Sequence, residues 1–115
     1  MIFEVWTGDI SAGDLELYWT KYLENPQVLA IRRTLVDLRT ANILFHGDVF
    51  ADLIGKIVQP VLAGRSWKTA IVVKRPVQFG VSRQYQVFAE TFSKDSIFHD
   101  YDAALQWLLQ QKLDA

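Results

Sequence analysis

The 115-residue chain has no cysteine, and it has only two histidines, one methionine and three prolines. The missing thiols exclude disulfides, thiolate nucleophiles and every Cys-ligated metal or iron–sulfur site. An excess of one charge is missing too: 12 basic and 13 acidic residues leave a formal net charge of -1. A dedicated nucleic-acid binder needs surplus lysine and arginine to displace counterions, so no nucleic-acid partner is expected. No apolar run reaches the roughly 18 residues of a transmembrane helix, so no membrane span is expected. The segment Met1-Ile2-Phe3-Glu4-Val5-Trp6 has an acid at its centre, where a secretory signal would carry bases and then an apolar stretch. A cytoplasmic location is the resulting expectation. Neither G-x-G-x-x-G nor G-x-x-x-x-G-K-[ST] occurs, and no cofactor is expected.

What is present is a chain that is 50% apolar and of single-domain length, so residues 1–115 read as one domain with a real core. Extended and helical periodicities alternate along it. Ile2 to Trp6 reads as a strand closed by Gly8-Asp9. Ser11 stands three residues before Asp14, close to a capping box. Leu15, Tyr18, Trp19, Tyr22 and Leu23 then mark one face of a helix that Asn25-Pro26 should end. Val28-Leu29-Ala30-Ile31 reads either as a lead-in to the next strand or as an extra packed turn. Thr34 to Leu38 suits a strand covered on both faces.

Asp48 is the expected N-cap of a second helix, with Phe50, Leu53, Ile54, Ile57, Val58 and Val61 on its buried face. Pro60 should kink that helix or restart it as a last turn. Ala70 to Val73 is the most strand-like run. A third helical face follows in Val81, Tyr85, Phe88 and Phe92, with Ser82 or Gln78 as its cap. Ile97-Phe98 is a minimal fourth strand. Asp100 caps a last helix with Tyr101, Ala104, Leu105, Leu108 and Leu109 on one face and Lys112 in its final turn. The order β-α-β-α-β-α-β-α predicts an α/β fold, a four-stranded and mainly parallel sheet with alternating helices.

Val36-Asp37-Leu38-Arg39, Ala70-Ile71-Val72-Val73, Gly80-Val81-Ser82-Arg83-Gln84-Tyr85, Ile97-Phe98-His99-Asp100 and Ala103-Ala104-Leu105-Gln106-Trp107-Leu108 together resemble the bacterial SpoIIAA-like proteins of the STAS/SEC14-related group. The resemblance covers nearly the whole chain and implies the same parallel sheet wound with helices. Many members of the group have no established activity. Its anti-sigma-factor antagonists carry a phosphorylatable serine in an Asp-Ser-Ser-Gly-like turn before the second helix. The matching stretch here, Phe45-His46-Gly47-Asp48, has no hydroxyl, so that switch cannot operate at this position. Thr40 is near but lies outside the motif.

Candidate chemistry is sparse. His46 and His99, each close to an aspartate, fall after strand ends on the carboxyl edge, where α/β sheets bind ligands. They lack metal-binding spacing, and no G-x-S-x-G surrounds Ser82. Arg39, Lys74, Arg75, Gln78, Ser82 and Arg83 gather basic and polar groups at the same edge, beside a helix N-terminus that favours anions. Four Trp, four Tyr and seven Phe are a heavy aromatic load. Most fall on core faces, whereas Trp6, Phe45, Trp67 and Phe79 fall near element ends, where they could line an apolar pocket or a dimer surface.

The expected function is a non-enzymatic binding or regulatory module, acting through protein contact or a small anionic or lipid-like ligand, with a homodimer in view. The alternatives are a small hydrolase or transferase using His46 or His99 as base, and a structural subunit of a larger complex.

Overall fold

The computed structural model describes residues 1–62 and 64–110. Four strands, β1 (Ile2–Ile10), β2 (Arg33–Ile43), β3 (Trp67–Val72) and β4 (Ser93–Phe98), form one sheet in the order β1-β2-β3-β4. Every neighbouring pair is parallel. Each crossover therefore steps one strand in the same direction. Crossovers of one hand that step the same way all land on the same face. Accordingly, α1 (Ala12–Tyr22), α2 (Pro26–Ile31), α3 (Val49–Leu53) and α5 (Pro76–Ala89) share a single core with the strands on one side. The last helix, α6 (Tyr101–Gln110), returns across the opposite face. There Ala104 and Leu108 meet Leu35, Ala70 and Val72.

Local chemistry explains most boundaries. Ser11 and Asp14 complete the capping box of α1: Ser11 Oγ accepts from the Asp14 N–H at 3.2 Å, and Asp14 Oδ2 accepts from the Ser11 N–H at 2.9 Å. Asn25-Pro26 does not simply stop a helix. Asn25 accepts from the Gln27 N–H with Pro26 in the first turn, and α2 begins there, so Val28 to Ile31 is helical. Arg32 then takes the left-handed conformation (φ 53°) and turns the chain into β2.

Asp48 sits at the start of α3 in helical conformation and makes no side-chain cap. The helix widens into a π segment, Ile54–Val58, and continues as α4 (Gln59–Leu62). The Gln59 N–H reaches back five residues to the Ile54 carbonyl, one position ahead of Pro60, which has no N–H of its own. Asp100 caps α6 through the Ala103 N–H at 3.2 Å. Lys112 lies outside the described residues.

The strands are longer than their apolar centres suggest. Gly8-Asp9 does not end β1: the strand runs on to Ile10, with Gly8 at φ 71°. Register shifts between Val5↔Asp37 and Thr7↔Thr40, which places one extra residue in β2. This bulge resets the alternation. Leu38 faces the helix layer before it, and Ala41 and Ile43 after it, so all three are buried on that side. Thr40 lies in the strand just past the bulge, where its hydroxyl donates to the Trp6 carbonyl at 3.2 Å.

Four expected core positions are on the surface: Tyr18 on α1, Val61 on α4, Phe88 on α5 and Leu109 on α6 are exposed. Lys68, in contrast, is buried. Its Nζ donates to the Trp107 carbonyl at 2.9 Å and lies 4.2 Å from the Trp107 ring centroid. It thereby satisfies a carbonyl in the last turn of α6, where a cation is favoured. Burial and the nearby Arg33 and Lys94 charges push its ammonium down to about 8.

The turn into α5 is held by Gln78, which is fully buried. It caps the start of its own helix as expected, its side chain accepting from the N-cap Arg75 N–H in a capping box, and its amide also reaches β2. Oε1 accepts from the Lys74 and Arg75 N–H groups at 2.8 and 2.9 Å, and Nε2 donates to the Ala41 carbonyl at 2.9 Å. Replacing it by leucine leaves the Lys74 and Arg75 N–H groups without this side-chain partner and removes one of the two donors to the Ala41 carbonyl. Gln78→Leu is expected to lower stability by about 2–4 kcal/mol, read as a lower urea midpoint at unchanged slope.

Candidate functional site

Seven of the eight residues nominated from sequence lie at the carboxyl edge of the sheet in chain order, after β2, β3 and β4 or in the first turns of α5; Arg39 lies in the bulged part of β2. Most are tied into the fold. Arg39 makes a two-pronged ion pair with Asp37, at 2.9 and 2.8 Å, and lies 5.4 Å from the Tyr101 ring centroid. The pair holds the Asp37 carboxyl below its usual range. Arg75 Nη2 donates to the Ala41 carbonyl at 2.7 Å, beside the Gln78 amide. Ser82 is one turn inside α5, not at its start, and its hydroxyl donates to the Gln78 carbonyl at 2.7 Å. Arg83 bonds to Gln86 on the same helix face at 2.8 Å. Lys74 is exposed.

The two histidines do not share a site with other ligands. His46 is exposed, and His99 is exposed and stacked on Phe79 at 6.2 Å between ring centroids. Among the described residues no group of three or more His, Asp or Glu side chains is arranged to hold a metal ion. The turn that the family resemblance marks, at Gly47, is closed to larger residues, since a Cβ there would overlap the side chain of Gln84.

The notable space lies elsewhere, between the sheet and the helix layer. A cavity of about 100 Å³ opens there. Its floor is the helix-facing row of the strands: Glu4 and Trp6 from β1, Thr34, Val36 and Leu38 from β2, and Thr69 and Ile71 from β3. Its roof comes from Trp19 and Tyr22 of α1, Phe50 of α3, Val58 of the π segment, and Val81, Ser82 and Tyr85 of α5. The aromatic rings brace one another. Trp19 stacks on Phe50 at 5.9 Å, Tyr85 meets Phe50 edge-on at 5.3 Å, and Tyr22 approaches Trp67 at 6.2 Å. Rings of this bulk hold the helices off the strands and leave the gap between them.

Polar groups in this layer are few and linked. Trp6 Nε1 donates to Glu4 Oε1 at 3.3 Å, and the hydroxyls of Tyr18 and Tyr22 also serve the Glu4 carboxylate. Thr34 Oγ1 bonds to the Tyr22 hydroxyl at 3.0 Å and accepts from Trp67 Nε1 at 3.2 Å. Burial raises the Glu4 carboxyl above its ordinary range, partly offset by these donors. Burial, with the Glu4 charge adding to it, raises the Tyr18 and Tyr22 phenols as well.

On β4, Asp95 lies in register with Thr69 and faces the same layer. Its Oδ1 accepts from Ser93 Oγ at 2.6 Å, and its Oδ2 is buried without a partner. Burial raises its carboxyl to about 6.

Sequence reasoning placed Trp6, Phe45 and Trp67 near a possible pocket, and all three line this one; Phe79 does not. It passed over Glu4. The signal was present, because period-two alternation puts Glu4 on the same strand face as Ile2 and Trp6. Asp95 was hidden by the weak pattern of β4, where only Ile97-Phe98 reads as strand.

The Asp95 shift fixes a pH dependence. Its native value of about 6 exceeds its ordinary 3.8, so the folded state binds more protons than the unfolded state between those values. The stabilisation is present below about pH 4 and is lost as pH rises through 6. Asp95→Asn should match the parent near pH 4 and exceed it by about 1–3 kcal/mol at pH 7, measured by urea unfolding across that range.

No family model matches the sequence, and no curated protein matches it. A solved structure does: the crystal structure of an uncharacterized protein of the DUF3478 family, with a SpoIIAA-like fold, from Shewanella loihica PV-4. The two chains are 21% identical, the match covers 89% of this chain and 79% of that one, and the TM-score is 0.53. With its unbroken β1-β2-β3-β4 order, three crossovers on one face and α6 on the other, this chain has the SpoIIAA-like fold.

Proposed function

We propose that this chain is a binding module that takes a small, compact and largely apolar molecule into the cavity between its sheet and its helix layer. One observation carries the reading: an aromatic-walled space of about 100 Å³ in a layer that close packing would otherwise fill. An enclosed apolar void of roughly 150 Å³ is known to hold a benzene-sized molecule, so this space suits a slightly smaller group, such as a branched alkyl head. The cavity is favoured over the basic rim because Arg39 and Arg75 are already engaged within the chain. An anionic ligand would also meet the Glu4 carboxylate in the cavity wall. The hydrolase reading is less supported, since the exposed His46 and His99 line no part of the cavity.

The test is to fill the space. Val36 lies in the floor beside Glu4 and Ile71. Val36→Phe should abolish binding of compact apolar probes, followed by fluorescence of the cavity tryptophans, while the melting temperature holds or rises. Binding that survives in a folded Val36→Phe protein overturns the reading.

A second reading, self-association, is favoured by β1. This edge strand turns Phe3 (56% exposed) and Val5 (67% exposed) to the face on which α6 packs, but α6 covers β2, β3 and β4 instead. If that strip pairs two copies, Val5→Asp converts dimer to monomer in light scattering without loss of helix or sheet signal.

A further inference from the structure

The cavity poses a chemical question that its apolar character leaves open. A carboxyl group in a largely apolar wall is costly, because burial removes its water. Glu4 stands in such a wall, among the rings of Trp6, Trp19 and Tyr22. An aliphatic side chain at this position would close the floor of the sheet as Val36 and Ile71 do in the same row. The donors around Glu4 favour its anion and offset part of the cost of burial, which still leaves the carboxyl above its ordinary range. Trp6 Nε1 reaches Oε1, and Tyr18 and Tyr22 supply phenol hydroxyls, while Thr34 takes up further bonding capacity of Tyr22. Among the described residues no cationic side chain lines the cavity.

A single acid set among aromatic rings is the arrangement that attracts an organic cation. The negative faces of tryptophan and tyrosine rings draw positive charge, and desolvation strengthens that attraction. A strongly hydrated ammonium would give up too much water on entry. An alkylated ammonium spreads its charge over methyl groups and is weakly hydrated, and a trimethylammonium head has the shape of a branched alkyl group. It therefore meets both the size and the apolar lining of the space.

We infer that the molecule taken into the cavity carries an alkylated ammonium group, held by the Glu4 carboxylate and the surrounding aromatic rings. This rests on the cavity being a ligand site, and it adds the charge of the ligand.

The test compares two probes of nearly equal shape on the full chain: choline, and its neutral isostere dimethylbutanol, in which carbon replaces the ammonium nitrogen. Titration followed by calorimetry or by NMR of the tryptophan indoles should show choline binding at least about tenfold tighter than the isostere, a step of about 1.4 kcal/mol. Glu4→Gln keeps the shape and most hydrogen bonds, and it should reduce that preference to the part the rings supply while leaving the isostere bound as before. Equal binding of the two probes to the unaltered protein overturns the charge assignment and leaves the apolar pocket standing. Binding of neither probe, with the indole signals unmoved, overturns both. The comparison on the unaltered chain decides the matter even if Glu4→Gln fails to fold.

Discussion

The handedness of the strand connections governs this molecule. Parallel strands need crossovers, and crossovers of one hand that step steadily in one direction must stack on one side of the sheet. The strand order here never reverses. It follows that α1, α2, α3 and α5 crowd one face, and that the opposite face would be bare without α6. It also follows that there is no reversal point of the kind at which open α/β sheets usually bind ligands at the strand ends. The cavity of about 100 Å³ lies instead within the crowded side, where large rings stand between helix and strand and prevent close approach.

That crowded side is also where the fold tolerates polar atoms. Gln78 shows the favourable case: fully buried, but with both ends of its amide paired to backbone of neighbouring elements. Its cost of burial is offset bond for bond. Asp95 shows the unfavourable case, with one oxygen served by Ser93 and the other by nothing. Glu4 stands between the two, with donors on hand but in an apolar wall. Lys68 on the other face resolves the same problem by capping a helix end and lying against an indole. Each of these side chains has a different balance between desolvation and pairing.

Much of the architecture could be read from the residues. Alternating periodicities indicated the element order, and the capping chemistry at Ser11, Asp14 and Asp100 marked helix starts correctly. Strand ends were harder. The single-residue bulge near Leu38 and Arg39 shifts the alternation by one, so Ala41 and Ile43 look out of phase with Thr34, Val36 and Leu38, which face the same layer, when the run is scanned as one strand. β4 opens with Ser93, Lys94 and Asp95, which resemble a loop until the neighbouring strand supplies their backbone partners. The site was harder still. A basic rim is visible in sequence because arginine and lysine are conspicuous, but whether a guanidinium is free or bonded to a carbonyl 34 positions away, as Arg75 is, depends on tertiary contact. A cavity is a property of how rings pack, and the same aromatic residues could equally have filled it.

The unbroken strand order has a consequence for how the chain reaches this state. Each strand pairs only with the one before and the one after it in the chain, like successive coils of a spring. Ordering one coil creates the template for the next, and closure never waits on a distant segment threading between strands already in place. Loop-closure entropy is thus spread evenly over short steps. The two outermost coils, β1 and β4, are each held in the sheet from one side alone, and the assembled coil can begin to unwind from either end.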